Sequence, residues 1–461
     1  MNATTQPAED ASKFLLHLPG RMKIPAIPGF DQHAFEKYFK NAAWLMLGRI
    51  LSMVVGFIIA RYLGPASFGD LSFAIAFTGI FAAVGALGLD SFIIREIINR
   101  PGDKNVILGS AFWMRIAANI LLIPTAVLIY LWFRSMAVIQ DESLALLIAF
   151  CGLASLFKSF NIIDSYFQSR VQSKFVVHVQ NICLVISAAV KILLIVLKLP
   201  VIYFAIALAL DALFLAIGLV IIYQRKAFLK VAAWQFDTHQ AKTLLKQSWP
   251  LILSAVMVSL YMQIAVVMLK TKGSEAVGIY SAAARISEAW FFIPIAIVTS
   301  VFPAIIHARK TDLQRYNKRL QNLYDLLIGI SLPVALVISM GANTIISVIY
   351  TDQYEGAGLM LSIHIWSGIF VFLGSASGQY LLAEGYTVIA FKRTAIGAVV
   401  NILLNLWLIP LYSGVGASVA ALAAYFAATF SIFLFPQSRA QGIMMLKSLL
   451  LISIIQKLKN R

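Results

Sequence analysis

Five basic residues, Arg49, Arg115, Lys158, Lys191 and Arg285, stand inside long apolar runs, and three acids, Asp90, Asp211 and Asp325, do the same. A charge held in hydrocarbon costs about 2.5–3.5 kcal/mol by insertion scales, so each one needs an opposite charge, a water-filled cavity or a stem long enough to reach the interface. The chemistry open to such a set is electrostatic. Cations can receive an anion, and a carboxylate near the midplane can take a proton or Na⁺. Cys151 and Cys183 both lie within apolar runs, which leaves neither a disulfide framework nor a four-ligand metal site.

The placement of each charge separates its readings. Arg49, Arg115 and Lys158 enter their runs from one side by roughly two helical turns, where they either face a common vestibule, reach the interface or pair with Asp90 or Asp164. Lys191 lies about two turns from the opposite side, and its long stem reads as snorkelling. Arg285 and Glu288, three residues apart, read most simply as a mutual ion pair. Asp211 sits mid-run without a basic neighbour on its own helix, so it is the leading candidate for a cation; its alternative is a bond to Lys158 or Lys191. Asp90 and Asp325 lie nearer their run ends, where salt bridges to loop cations are expected.

These residues need a membrane protein to position them. The 461 residues are 60% hydrophobic and 12% charged, with a mean hydropathy of +0.85, a balance that no single water-soluble core can absorb. Apolar runs of about 20 residues predict spans near 42–60, 68–91, 109–132, 144–165, 176–197, 201–223, 249–269, 278–305, 323–349, 356–382, 394–412 and 415–435. Of the 37 Lys and Arg, 27 fall in tails and loops on one side and five, Arg61, Arg134, Lys198, Lys270 and Lys272, on the other. That asymmetry predicts both termini in the cytoplasm. The net charge of +17 is thereby a topology signal, and no nucleic-acid partner is implied.

The expected fold is an all-α membrane protein of about twelve helices in two six-helix bundles. A tail over 1–41 precedes a bundle over 42–223, a basic linker over 224–248 and a bundle over 249–435, and a basic tail over 436–461 reads as an interfacial helix. Pro294 and Pro303 should bend the eighth span, and Gly374 to Gly378 offers a close-packing face in the tenth. The chain also repeats itself. Gly64-Pro65-Ala66-Ser67-Phe68-Gly69 after span one and Gly273-Ser274-Glu275-Ala276-Val277-Gly278 after span seven share a two-glycine spacing, 209 residues and six spans apart. An even number of spans per half makes this a parallel repeat about an axis normal to the membrane.

The segment Gly56-Phe57-Ile58-Ile59-Ala60-Arg61-Tyr62-Leu63-Gly64-Pro65-Ala66-Ser67-Phe68-Gly69, with Leu87-Gly88-Leu89-Asp90 and Ile94-Arg95-Glu96, resembles the opening of bacterial Wzx-type polysaccharide flippases of the multidrug/oligosaccharidyl-lipid/polysaccharide exporter superfamily. Gly273 to Trp290 is similar to the seventh-to-eighth span signature of the same family. The resemblance implies a non-enzymatic carrier in the bacterial inner membrane. It would move an undecaprenyl-pyrophosphate-linked oligosaccharide of the O-antigen, capsule or exopolysaccharide type from the cytoplasmic to the periplasmic leaflet. A polymerase and chain-length machinery would be its partners, no cofactor is implied, and a proton or sodium gradient would drive it.

For such a cargo the basic residues gain a role, since arginine offers a planar fork matched to phosphate oxygens. Arg49, Arg115 and Lys158 are then expected to line a cationic vestibule, Arg285 to meet the cargo once the carrier opens outward, and Asp211 to bind the coupling ion. Two rivals are a lipid II flippase, whose cargo shares the pyrophosphate, and a drug/cation antiporter, which should favour acidic cavity residues.

Overall fold

The computed structural model describes residues 32–136, 144–227, 229–309 and 312–459, with side chains from Gly48 onward except those of Arg49, 303–304, 307, 454 and 457–459. Residues 1–31 of the expected tail over 1–41 and the side chains of Arg49 and Pro303 lie outside the described residues. The chain divides into a unit Met1–Ala42 and a unit Ala43–Arg461, and the contacts that build the fold and its cavity lie within the second.

Helices and short helical turns make up the regular structure of the described residues, with no strand among them. Among the described residues ten helical stretches are long and apolar enough to cross a membrane. Two of these, Ile50–Asn99 and Thr387–Leu434, are double length, and each is broken where the sequence places a loop. Gly64 (φ 70°, ψ 170°) breaks the first and Ser413 (φ 50°, ψ −129°) the second, giving twelve candidate crossings among the described residues. Gly64 suits the first break because glycine alone enters the left-handed region without a Cβ penalty, and Pro65 after it disfavours a helical predecessor.

Several spans depart from their expected outlines. The eighth is two helices, Ser274–Glu288 and Phe292–Arg309, separated at Ala289–Phe291. Pro294 follows the gap and cannot donate to Trp290 O, which instead accepts from Ile293 N at 3.0 Å. The ninth begins ten residues early, at Leu313, because Asp312 caps it by accepting from Gln314 N (2.8 Å) and Arg315 N (3.1 Å). The seventh likewise starts inside the expected linker, at Thr238, where Asp237 accepts from Gln240 N at 2.6 Å. The tenth breaks between Ala357–His364 and Ser367–Ala383.

The final basic stretch forms Arg439–Leu449 and Ile452–Lys459. Ser448 and Ser453 donate to Asp325 of the ninth span, the former at 2.5 Å, and Gln441 donates to the Tyr324 hydroxyl at 2.5 Å. A buried carboxylate must find donors, and the tail supplies them.

The core of the first half gathers Leu89, Ile93, Phe112, Tyr166, Tyr223 and Trp234, all buried. The indole N–H of Trp234 donates to the Tyr223 hydroxyl at 3.2 Å, which ties the linker down onto the sixth span, Val201–Lys226. The two halves meet through their repeated glycines. A Cβ on Gly69 would stand 1.8 Å from Ser274 O, and one on Gly278 would stand 1.9 Å from Pro65 O. Beside them the buried Lys270 reaches Asp70 Oδ1 with its Nζ at 2.5 Å, and Tyr354 donates to Ala60 O at 2.6 Å.

Candidate functional site

A cavity of about 480 Å³ opens between the halves. The first span contributes Ser52 and Gly56, the second Leu71 and Ile75, the fifth Ser187 and Lys191, the sixth Phe204 and Leu208, and the broken eighth Arg285 and Glu288. Its wall is largely apolar, so the three charges dominate the field inside it.

Arg285 projects from the first half of the broken span. Its guanidinium lies 4.8 Å from the centroid of the Phe68 ring, and its Nη1 stands 3.0 Å from where a Cβ on Gly56 would be. The absence of a side chain at Gly56 therefore makes the space that the guanidinium occupies. Among the described residues Arg285 makes no hydrogen bond and no ion pair within 4 Å, so a planar donor fork lines the cavity beside its cation–π contact with Phe68.

Glu288 ends the same helix and lines the same cavity. The expected Arg285–Glu288 ion pair does not form. A three-residue spacing permits such a pair without obliging it, and here the guanidinium is drawn over Phe68. Both charges are left open to whatever fills the cavity.

Lys191 is tied down rather than snorkelling. Its ammonium donates to Asp211 Oδ2 at 2.5 Å and to Ser187 Oγ at 2.8 Å, linking the fifth span, Lys174–Val196, to the sixth. Asp211 thus has one of the two partners the sequence offered as the alternative to ion binding.

Of the other expected vestibule residues, Arg115 and Lys158 do not reach this cavity, and the side chain of Arg49 lies outside the described residues. Arg115, 3% exposed, donates to Asp90 Oδ1 at 2.8 Å and to Ala86 O at 3.1 Å, an ion pair inside the first half. Lys158 is exposed on the turn Lys158–Asn161 that interrupts the fourth span. Arg393, expected in a loop, stands in the helix that begins at Thr387 and donates to Gly374 O at 3.2 Å. Of the basic residues singled out for cargo, Arg285 is the one with a described side chain that lines the cavity. Sequence reasoning missed Gly56 and Glu288 as cavity residues, although Gly56 heads the segment on which the family resemblance rests.

Residues 38–308, which include every cavity residue named above, match the family described as Polysaccharide biosynthesis protein. The chain belongs to that family. Residues 250–407 also match the family described as MatE. Among curated proteins, the Probable flippase AglR of Haloferax volcanii is 28% identical over 149 residues, a match that spans 32% of this chain and 31% of that relative. Two solved structures share the fold. The lipid II flippase MurJ in an inward closed conformation matches with a TM-score of 0.70 at 16% identity, covering 90% of this chain and 92% of that one. An inward-facing multidrug resistance MATE family transporter of the MOP superfamily matches with a TM-score of 0.66 at 16% identity, covering 87% and 96%. The family member described here is a multi-pass membrane protein whose fold is that of MOP-superfamily transporters.

Proposed function

We propose that this protein is a flippase that carries an undecaprenyl-pyrophosphate-linked oligosaccharide from the cytoplasmic to the periplasmic leaflet of a bacterial inner membrane, by ion-coupled alternating access. The observation that carries this reading is Arg285, a guanidinium without a hydrogen-bond partner among the described residues, aimed into an otherwise apolar cavity that both halves line. A pyrophosphate leaving water needs fixed donors to replace its hydration, and an arginine fork supplies two at the spacing of phosphate oxygens. Lys191 lines the same cavity, its charge offset by Asp211 at 2.5 Å. The apolar remainder of the wall suits a prenyl chain.

The charge asymmetry of the loops orients the carrier with both termini in the cytoplasm, which puts the Gly69–Gly278 contact on the periplasmic side. The two halves meet at that contact, and a carrier loading from the cytoplasm requires a closure on that side. A drug/cation antiporter is the weaker reading, because it gives no role to Arg285, the cavity cation that forms no ion pair within 4 Å among the described residues.

Complementation of a deletion strain tests the proposal. Loss of the gene should trap lipid-linked repeat units on the cytoplasmic leaflet. Arg285→Ala should restore surface glycan at least tenfold less well than the unchanged chain, since a hydrogen bond to a charged group is worth about 1.5–3 kcal/mol, and Arg285→Lys should recover part of the loss. Normal surface glycan in the deletion strain, with no second flippase present, overturns the reading.

A further inference from the structure

The last stretch of the chain is charged in one sense only. From Pro436 to Arg461 it carries Arg439, Lys447, Lys457, Lys459 and Arg461, with no Asp or Glu among them. It also starts at the edge of the membrane. The twelfth span runs into the turn Ser431–Leu434, and only Phe435 to Ser438 separate that turn from the helix Arg439–Leu449. The junction is fixed, since Ser438 Oγ donates to Ile432 O at 2.7 Å and Arg439 Nε to Phe433 O at 3.0 Å. A helix held this close to the end of a span stays at the interface.

Residues three, four and seven apart share a helix face, and Arg439–Leu449 with Leu450 after it divides into two. Gln441, Met445 and Ser448 are buried against the second half. Gln441 donates to the Tyr324 hydroxyl at 2.5 Å and accepts from Ser377 Oγ at 3.4 Å, and Ser448 donates to Asp325 at 2.5 Å, which fastens the helix to the ninth and tenth spans. Ile443, Leu446 and Leu450 lie on the opposite face and are exposed, an apolar stripe left uncovered by the described residues. Cations surround it. Lys447 borders the stripe, Arg439 heads it, Lys392 Nζ stands 5.8 Å from the Phe435 ring at the junction, and Lys318 lies one turn before Gln321, which donates to Met444 O at 3.1 Å. The neighbouring acids are engaged elsewhere, Asp325 accepting from Ser448 and Ser453 and Glu384 from Arg309 and Tyr316.

We propose that this C-terminal helix is a lipid-binding surface that selects anionic phospholipid in the cytoplasmic leaflet, its stripe seated among acyl chains and its cations on the headgroup phosphates. Apolar side chains turned away from the protein at the end of a span meet lipid, and acid-free positive charge beside them favours an anionic leaflet over a zwitterionic one. The attraction of the separate Lys and Arg side chains adds up and fades beyond a Debye length. Since Gln441 and Ser448 fasten the helix to the ninth and tenth spans, lipid bound here holds the cytoplasmic end of the second half, which carries Arg285. The inference takes the orientation of the carrier from the reading above and is independent of the cargo.

Full-length protein in nanodiscs tests this, with Cys151 and Cys183 replaced by alanine and a bimane label on Leu446→Cys. A label on Leu403→Cys, at an exposed mid-span position, serves as the reference for lipid composition. Relative to that reference, brominated phosphatidylglycerol should quench the Leu446→Cys label at least about threefold more than the same fraction of brominated phosphatidylcholine, and about 1 M NaCl should erase the difference. Arg439→Gln combined with Lys447→Gln should bring the ratio at least half-way to one, with the melting temperature in neutral lipid unchanged. Equal quenching by the two lipids overturns the selection of anionic headgroups. An unaltered ratio in the double variant overturns the part given to Arg439 and Lys447. No quenching by either lipid places the stripe in water or against another protein and overturns the inference as a whole. Each of these outcomes leaves the flippase reading standing, because glycan export tests that separately.

Discussion

Gly69 and Gly278 clasp each other's loops across the two halves. Each is the second glycine of its copy of the repeat, and each would drive a Cβ to within 2 Å of a carbonyl in the other copy, 1.8 Å from Ser274 O and 1.9 Å from Pro65 O. The clasp is reciprocal, as a pair related by a two-fold axis would be. A side chain of any size removes it, because the obstacles are backbone atoms.

Gly278→Ala should therefore open this contact although alanine is the better helix former by about 1 kcal/mol. Overpacking against a backbone carbonyl costs about 1–3 kcal/mol or more. The expected outcome is a lower melting temperature, together with faster thiol labelling of Ser274→Cys in the Gly278→Ala background. Unchanged labelling would show that the two loops separate without help.

Gly56→Ala acts on the site without acting on the fold. Its new methyl meets only Arg285 Nη1, the far end of a flexible side chain, at 3.0 Å. Stability should change by less than about 1 kcal/mol while glycan export falls, because the guanidinium is displaced from its place over Phe68. Gly56→Val should lower export further. A melting temperature that drops as sharply as export would assign Gly56 to packing alone.

Lys270 and Asp70 connect the same two loops that the glycines bring together, with side-chain exposures of 3% and 15%. Removing one partner of a buried pair strands the other, at a cost of about 3–5 kcal/mol, whereas replacing both by apolar residues is often near neutral. Lys270→Met should lower the melting temperature strongly, and Lys270→Met combined with Asp70→Leu should recover most of the loss. Equal damage in the single and double variants would show that Lys270 acts through its other neighbours.

Asp211→Asn distinguishes a structural acid from a coupling one. It weakens the counter-ion of Lys191, whose ammonium stands 2.5 Å away, and should cost about 1–3 kcal/mol of stability. Asp211→Glu should recover part of the loss, and unchanged stability in Asp211→Asn would show that the Lys191–Asp211 pair is not structural.

Much of this protein was legible before its fold was known, and the residues show why. Run lengths and loop charges are properties along the chain, so the span count, the separation of 27 loop cations from five buried ones and the two-glycine repeat could be counted directly. The partners of the charged residues could be named only as alternatives, Asp90 or Asp164 for Arg115 and Lys158 or Lys191 for Asp211. Arg115 with Asp90, Lys191 with Asp211, and Arg285 with Phe68 in the space left by Gly56 each join different spans, and which faces meet depends on how each helix is rotated in the bundle. Hydrophobicity puts a residue in the membrane and leaves that rotation open, because lipid and protein interior are equally apolar. Sequence therefore determined that five cations needed an explanation, and tertiary structure decided that Arg285 and Glu288 are the pair of charges left facing a cavity.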